Sequence, residues 1–386
     1  MPDEQRTRRQ FTLRRRGLLS GAAAVGGLAV AGTVDGKPGP PGTKACDVVV
    51  PDDHTSIQGA VDAVDAGTSI CVKDGTYVEQ VVIDKSITLK ATGGASPTIQ
   101  APSSTRGFTL PESDSEWVPV VFAYGGQESG GSVAGADVVD VTISGFVIDG
   151  NDRQPSDRGV GILARNARGD VRGNVVENMG VGGRETFGVI VSGDSDVTIS
   201  RNEVRDYERT GIGANGDDGS HPAPTIEVLD NVVEGGGGIG EAWGPNGVQI
   251  GFGASGTVRS NYVADNRYGD SFASATSAGI LVFASSDVMV HHNRVENSDI
   301  ALASASAENN RFVDNRVSDA LIGAYFAQVE NNKLVNNELR NDEPGLGDAG
   351  VLNTGENNKV IRNTIEGFGD PISDIGQASK IHANEP

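Results

Sequence analysis

Lysine is nearly missing from this sequence. Only eight of the 31 basic residues are lysines, against 52 acidic residues, and the formal charge is −21. A surface this acidic argues against nucleic acid and anionic membranes as partners, since both would be repelled over most of the molecule. Methionine (3) and histidine (5) are too few to suggest copper handling. No G-x-S-x-G elbow, H-E-x-x-H pair or cysteine cluster with zinc spacing occurs, which removes the commonest hydrolase and metalloprotease signatures. Apolar residues at helical spacing are equally scarce, so helices cannot supply most of the core.

The first 31 residues read as an export signal. Arg14, Arg15 and Arg16 precede an apolar run that ends in Ala29-Val30-Ala31, the pattern of a twin-arginine signal with a small-residue cleavage site, too short to span a membrane comfortably. Removing residues 1–31 takes away six arginines against Asp3 and Glu4, which moves the formal charge to about −25. The mature chain is expected to be extracellular, monomeric and not inserted in a membrane. Residues 32–44, rich in Gly and Pro, form a linker. Cys46 and Cys71 flank a segment in which Thr55 and Gln58 have capping-box spacing and Ile57, Ala60, Val61 and Val64 form one stripe. This predicts a short capping helix between two strands, with a disulfide between the cysteines pinning it.

The rest of the chain repeats itself. "ENNRFVDNRV" at 308–317 returns as "ENNKLVNNEL" at 330–339 and as "ENNKVIRNTI" at 356–365. An N-x-[VIL] mark recurs at Asn174, Asn202, Asn231, Asn261, Asn293, Asn315, Asn337 and Asn363, with Gly145 one step earlier; the gaps are 29, 28, 29, 30, 32, 22, 22 and 26 residues. Two β-branched segments precede each mark. Three short strands per period, stacked in parallel, make a β-helix. Asparagine and glycine suit a corner that demands left-handed backbone, and stacked asparagines can bond to one another as a ladder. Counting back fourteen from each mark gives Val160, Gly188, Gly247, Gly279, Ala301, Gly323 and Ala349, one register over seven rungs.

Residues 137–368, with these repeats, resemble the right-handed parallel β-helix of the pectate-lyase-like superfamily, in its carbohydrate-binding and sugar-hydrolase repeats. Residues 55–91, "TSIQGAVDAVDAGTSICVKDGTYVEQVVIDKSITLKA", resemble the cap and first rungs of pectin methylesterases and related secreted β-helices. The resemblance implies an all-β fold, a right-handed parallel β-helix solenoid with a short N-terminal capping helix over residues 45–368. Within it, 45–100 would be cap and first rungs, 101–136 an excursion outside the repeat, and 137–368 the repeats, with 369–386 as tail. It implies polysaccharide as partner and leaves activity open, because the superfamily hosts lyases, hydrolases, epimerases, esterases and non-catalytic proteins. The acidic, lysine-poor chain with its twin-arginine signal also resembles secreted proteins of haloarchaeal type.

Two family chemistries are missing. The first strand of each rung carries Ile162, Ile190, Gln249, Leu281, Ala303, Tyr325 and Val351 at one position and equally apolar residues beside it, without the aspartates of calcium-dependent pectate lyases. The paired aspartates and glutamine of pectin methylesterases do not follow Gly75–Glu79. A sheet apolar on both faces calls for a cover, and the excursion 101–136 is the candidate. No cofactor is expected, although the oxygens of Asn215–Pro222 offer ligands to Ca²⁺.

Four insertions enter at one corner, at 177–188, 206–211, 234–247 and 265–279. At about 4.8 Å per rung they would line an edge roughly 15–20 Å long. Arg184, Glu185, Glu241, Trp243 and Asp270 would bind sugar through ring stacking, charge and hydrogen bonds. Catalysis on a uronate needs its carboxylate neutralised and a proton moved, which assigns Tyr207 with Arg209, or Tyr268 with Arg267; a glycosidase would instead use Glu208 and Glu241. Nine of the 17 mature-chain arginines lie between Arg153 and Arg209 against nine acids, a near-neutral stretch that an acidic polymer tolerates. The expected function is that of a secreted binder of extracellular polysaccharide, acting as a lyase or epimerase on an acidic one. The alternative is a non-catalytic cell-surface or metalloenzyme-maturation β-helix protein.

Overall fold

A computed structural model of the chain describes residues 46–152, 158–180, 185–217, 219–236, 244–268, 277–342 and 348–385. The export signal and linker lie outside the described residues. So do Arg184, Glu241, Trp243 and Asp270.

Each rung has three strands. In one rung Thr186–Ser192 belongs to a front sheet, Asp196–Ser200 to a back sheet and Glu203–Arg205 to a side sheet. Every strand pairs in parallel with its copies above and below, and the back sheet has thirteen strands among the described residues. The fold is a parallel β-helix, as the period predicts. Side chains facing inward stack in columns: Ile199, Val228, Val258 and Val290 on the back sheet, Val204, Val233, Val263 and Val295 on the side sheet. All are buried, and each fully buried aliphatic contributes about 1.5–3 kcal/mol relative to exposure.

The corner asparagines form the predicted ladder, with one correction. The residue in left-handed conformation is the one before each asparagine: Gly173, Arg201, Asp230, Ser260, His292, Asp314, Asn336 and Arg362. The asparagine itself points inward. Asn261 donates from its backbone N to Asn293 Oδ1 at 3.0 Å and from Nδ2 to Val228 O at 2.9 Å, while its Oδ1 accepts from Asn231 N and Nδ2. Gly145 is therefore not the mark of its rung; Phe146 is, and its N donates to Asn174 Oδ1. At the ladder's far end Asn384 extends it. In each "ENN" the first asparagine (Asn309, Asn331, Asn357) is left-handed and the second (Asn310, Asn332, Asn358) is a rung of a second ladder.

Register also departs from a fixed count. Val160 pairs with Phe187, so Gly161 rather than Val160 stands level with Gly188, because two residues separate Arg165 from Arg168 where three separate Ser192 from Asp196. Gly350 likewise replaces Ala349 in the column. The column is small for a packing reason: a Cβ on Gly188, Gly247 or Gly279 would lie 2.3 Å from a methyl of Val204, Val263 or Val295.

At the N-terminal end, the helix Ile57–Ala63 is capped by Ser56, not Thr55, and the Glu79 carboxylate accepts from the backbone N of Ile57 and Gln58. A disulfide joins Cys46 to Cys71 beside the paired strands Val48–Val50 and Ser69–Val72, closing 25 residues of separation. On the chain-entropy model such a closure stabilises by about 3 kcal/mol. The tail continues the solenoid: Asp370–Asp374 and Lys380–His382 pair with the preceding front and back strands. No helix among the described residues is long and apolar enough to cross a membrane.

Replacing Asn261 by valine strips Asn231 N of its acceptor and takes one partner each from Asn231 Nδ2 and Val228 O in a dry corner, and should cost about 3 kcal/mol. Ser260→Val, which forces a β-branched residue into the left-handed position, should cost about 1–2 kcal/mol. Asn166, off the corner register, is likewise buried, with φ 47° and bonds to Gly135 O and from Asp194 N. Chemical denaturation of the two variants checks the order, with Asn261→Val the less stable.

Candidate carbohydrate cleft

The excursion is only in part outside the repeat. Glu116–Tyr124 is a front-sheet strand, paired with Val81–Ile83 on one side and Arg158–Arg165 on the other. What precedes and follows it is the cover. Phe108, Leu110 and Val133 pack with Phe122, Leu163 and Ile190 over the outer face of the front sheet in a second apolar cluster, separate from the solenoid core. An ion pair locks the cover down: Arg165 Nε donates to Glu112 Oε1 at 2.8 Å, and both side chains are only 4% exposed.

The cover ends where the sheet loses bulk. Along one outward column the front strands carry Phe122, Leu163 and Ile190, then Gly213 and Gln249. There a cleft of about 530 Å³ opens. Its floor includes Phe187, Ile190, Thr210 and Gln249; Glu112 and Trp117 stand on the covered side. Gln249 is fixed by its neighbours, accepting from Asn246 Nδ2 and donating to Asn215 Oδ1, each at 2.9 Å.

Charge gathers on the rim. Arg158 pairs with Glu185, donates from Nη1 to Ser113 Oγ at 3.3 Å and sits over the Trp117 ring at 5.1 Å. Arg209 donates from Nη1 to Gly244 O at 2.8 Å. Burial pulls its pKa below the usual guanidinium value, with Glu185 opposing; an arginine stays cationic at any working pH all the same. Across the cleft, Asp217 Oδ1 accepts from Gly219 N at 2.8 Å and its other oxygen faces His221 Nδ1, a hydrogen bond that holds its carboxyl below the ordinary range. Asp217 thus closes a turn of the stretch read above as a possible calcium ligand. Taken together, two guanidinium groups, carboxylates, fixed amides and aromatic faces suit a flat, hydroxylated, anionic ligand.

Only some of the expected site residues meet here. Glu185 and Arg209 line the cleft. Tyr207 does not, because its side chain is sealed in the solenoid core, where the hydroxyl donates to Asn266 Oδ1 at 2.7 Å and burial raises its pKa further. It cannot meet a substrate or serve as a base. Glu208 is buried too, with its backbone N donating to Thr186 Oγ1. Arg267 contacts Asn297 Oδ1 and Asp299 Oδ1, and Tyr268 N donates to Asp299 Oδ2, so both serve the buried Asp299 instead of the cleft. Glu112, Trp117 and Arg158 line the cleft without standing among the residues expected there. Arg158 had a signal, as a member of the near-neutral arginine stretch; Glu112 and Trp117 lay in the excursion with no repeat to place them.

A family model described as a right handed beta helix region matches residues 187–365. The solenoid is a right-handed parallel β-helix. Similar solved structures include the A-module of the mannuronan C-5 epimerase AlgE4 of Azotobacter vinelandii, at 13% identity over 87% of this chain and 100% of that one, with TM-score 0.53. A GH136 lacto-N-biosidase of Eubacterium ramulus is 13% identical over 88% of this chain and 67% of its own, with TM-score 0.53. The periplasmic alginate epimerase AlgG is 14% identical over 88% and 84%, with TM-score 0.52. No curated protein sequence matches the chain. At these identities the likeness is one of fold.

Tyr207→Phe discriminates the structural role from the catalytic one. It should lower stability by about 1–2 kcal/mol, because Asn266 Oδ1 loses its buried donor, and leave ligand affinity at the cleft unchanged. Thermal unfolding and calorimetric titration of the same preparation check both halves.

Proposed function

We propose that this chain is an exported protein that binds an acidic extracellular polysaccharide in the front cleft, with Arg158 and Arg209 taking the sugar carboxylates. The observation that carries the reading is the pair of guanidinium groups at one rim of a cleft floored by Phe187 and Ile190, in a chain otherwise strongly acidic. A polyanion approaching such a molecule is repelled except where arginines gather. Arginine matches a carboxylate with two parallel donors, and aromatic faces stack on sugar rings. The similar folds include epimerases of mannuronan and alginate, which lend this chain no residue at 13–14% identity.

The finer reading is chemistry at C5 of a uronate, by lyase or epimerase. Both reactions remove the C5 proton after the carboxylate is neutralised, and Arg158 and Arg209 supply the neutralisation. A second reading has support of its own. Of the carboxylates that line the cleft, Glu112, Glu185 and Asp217 are each held by Arg165, Arg158 or His221, which favours binding without turnover.

One experiment separates these. The mature protein, in high salt, is incubated in D₂O with acidic and neutral polysaccharides. Deuterium entering at C5 marks an epimerase; ultraviolet absorbance of unsaturated uronate, whose C5 carries no hydrogen, marks a lyase; binding with neither marks the non-catalytic protein. Arg209→Ala and Arg158→Ala should each lower affinity for a uronate polymer by about tenfold and leave neutral polymers unaffected. Equal binding of acidic and neutral polymers by the parent protein contradicts the carboxylate assignment.

A further inference from the structure

Buried polar atoms in folded proteins almost always find a hydrogen-bond partner. Among the described residues five buried side-chain atoms have none: Ser69 Oγ, Glu112 Oε2, Trp117 Nε1, Ser285 Oγ and Asp299 Oδ1. Two of these five residues, Glu112 and Trp117, line the cleft, both on its covered side. Leaving a buried donor or acceptor unpaired costs more than a hydrogen bond returns, so two such atoms on residues that line one cleft point to a partner that arrives with the ligand.

The chemistry of the two atoms limits that partner. Trp117 Nε1–H only donates and the Glu112 carboxylate only accepts. Glu112 Oε1 is already occupied, by Arg165 Nε at 2.8 Å and Ser192 Oγ at 3.1 Å, which leaves Oε2 as the open acceptor. A ligand carboxylate would satisfy the indole and be repelled by Glu112. An ammonium group would satisfy Glu112 and leave the indole unpaired. A hydroxyl both accepts and donates, and suits both atoms.

We propose that Glu112 and Trp117 form a hydroxyl-reading subsite under the cover, opposite the arginine rim, and that it sets which uronate epimer the cleft prefers. This rests on the reading of the cleft as a sugar site. A ring whose carboxylate meets Arg158 and Arg209 presents its hydroxyls toward the cover in a pattern set by their axial or equatorial orientation. Epimers with the same charge therefore present different hydroxyls to Glu112 and Trp117. The two residues are also held for such a task. Trp117 packs against Phe187 at 5.3 Å between ring centroids and beneath Arg158, and Glu112 is clamped by the buried ion pair.

The test is calorimetric titration of the mature protein with oligomers of mannuronate and its C5 epimer guluronate, of galacturonate as a further uronate of the same charge, and of the carboxyl-reduced, neutral form of the preferred one. The parent should prefer one epimer. Trp117→Phe keeps an aromatic face and removes only the N–H donor and one ring. It should weaken binding of the preferred epimer about five- to tenfold and change the others little, so the preference collapses while the loss on carboxyl reduction stays as in the parent. Glu112→Gln should do the same, since an amide in place of Oε2 offers one orientation only. If that variant unfolds for want of a partner to Arg165, Trp117→Phe carries the test alone. A Trp117→Phe protein with the parent's epimer preference overturns the subsite and leaves the cleft reading intact. A parent protein that binds none of the uronates overturns both.

Discussion

Hydrogen bonds from one asparagine to the next keep this molecule in register. At the corner between back and side sheets each asparagine receives the backbone N–H of its predecessor and passes its own to its successor, from Asn174 to Asn384. A chain turning inside a dry corner has backbone groups that strands cannot satisfy, and the carboxamide satisfies them rung after rung. The left-handed residue before each asparagine makes the turn tight enough for this. Registration of the corner fixes that of the sheets, since a slip of one residue would turn every inward valine outward. The cleft depends on it in turn, because its floor is made of outward positions from successive rungs.

Given a rigid front face, the site follows from what is laid on it. The outward column is apolar for its first rungs and is roofed by Phe108, Leu110 and Val133, which no solvated sheet would need. The roof is tied by Glu112 to Arg165, a buried pair that is expensive to desolvate and strongly destabilising to break. Where the column passes to Gly213 and Gln249 the roof stops, and the apolar floor, the fixed amides and the arginine rim line one cleft. The electrostatic setting adds direction. In a chain at −21 even before export, the two guanidinium groups of the rim offset part of the charge of Glu112, Asp114, Glu185 and Asp217, which also line the cleft.

The solenoid was legible because its physics is periodic. A polar residue recurring at a dry corner, valines at alternating positions and a small residue wherever front and side strands nearly touch each leave a mark in every period. The limits were local. Sequence spacing does not tell whether the asparagine or the residue before it takes the left-handed conformation, and so it puts the mark on Gly145 where Phe146 meets the first carboxamide of the ladder. A turn shorter by one residue at Arg165–Arg168 shifts the count without any change in residue type. The cleft was much less legible. Its rim residues Glu185 and Arg209 lay in insertions that the period exposes, whereas Glu112 meets Arg165 across 53 residues of sequence, and no repeat announces such a contact. Tyr207 illustrates the opposite error: an aromatic residue in an insertion looked available, yet a solenoid core leaves room for one large ring where an insertion folds back, and Asn266 supplies the acceptor that lets the hydroxyl be buried.

The central claim, that the front cleft is an anionic-sugar site built between the cover and the arginine rim, is tested most directly by a crystal structure of the protein soaked with a uronate tetrasaccharide. The account predicts a sugar ring over Phe187 and Ile190, with its carboxylate on Arg158 and Arg209. An empty cleft in crystals that hold the oligosaccharide elsewhere, or a ring with its carboxylate turned toward Glu112, would contradict it.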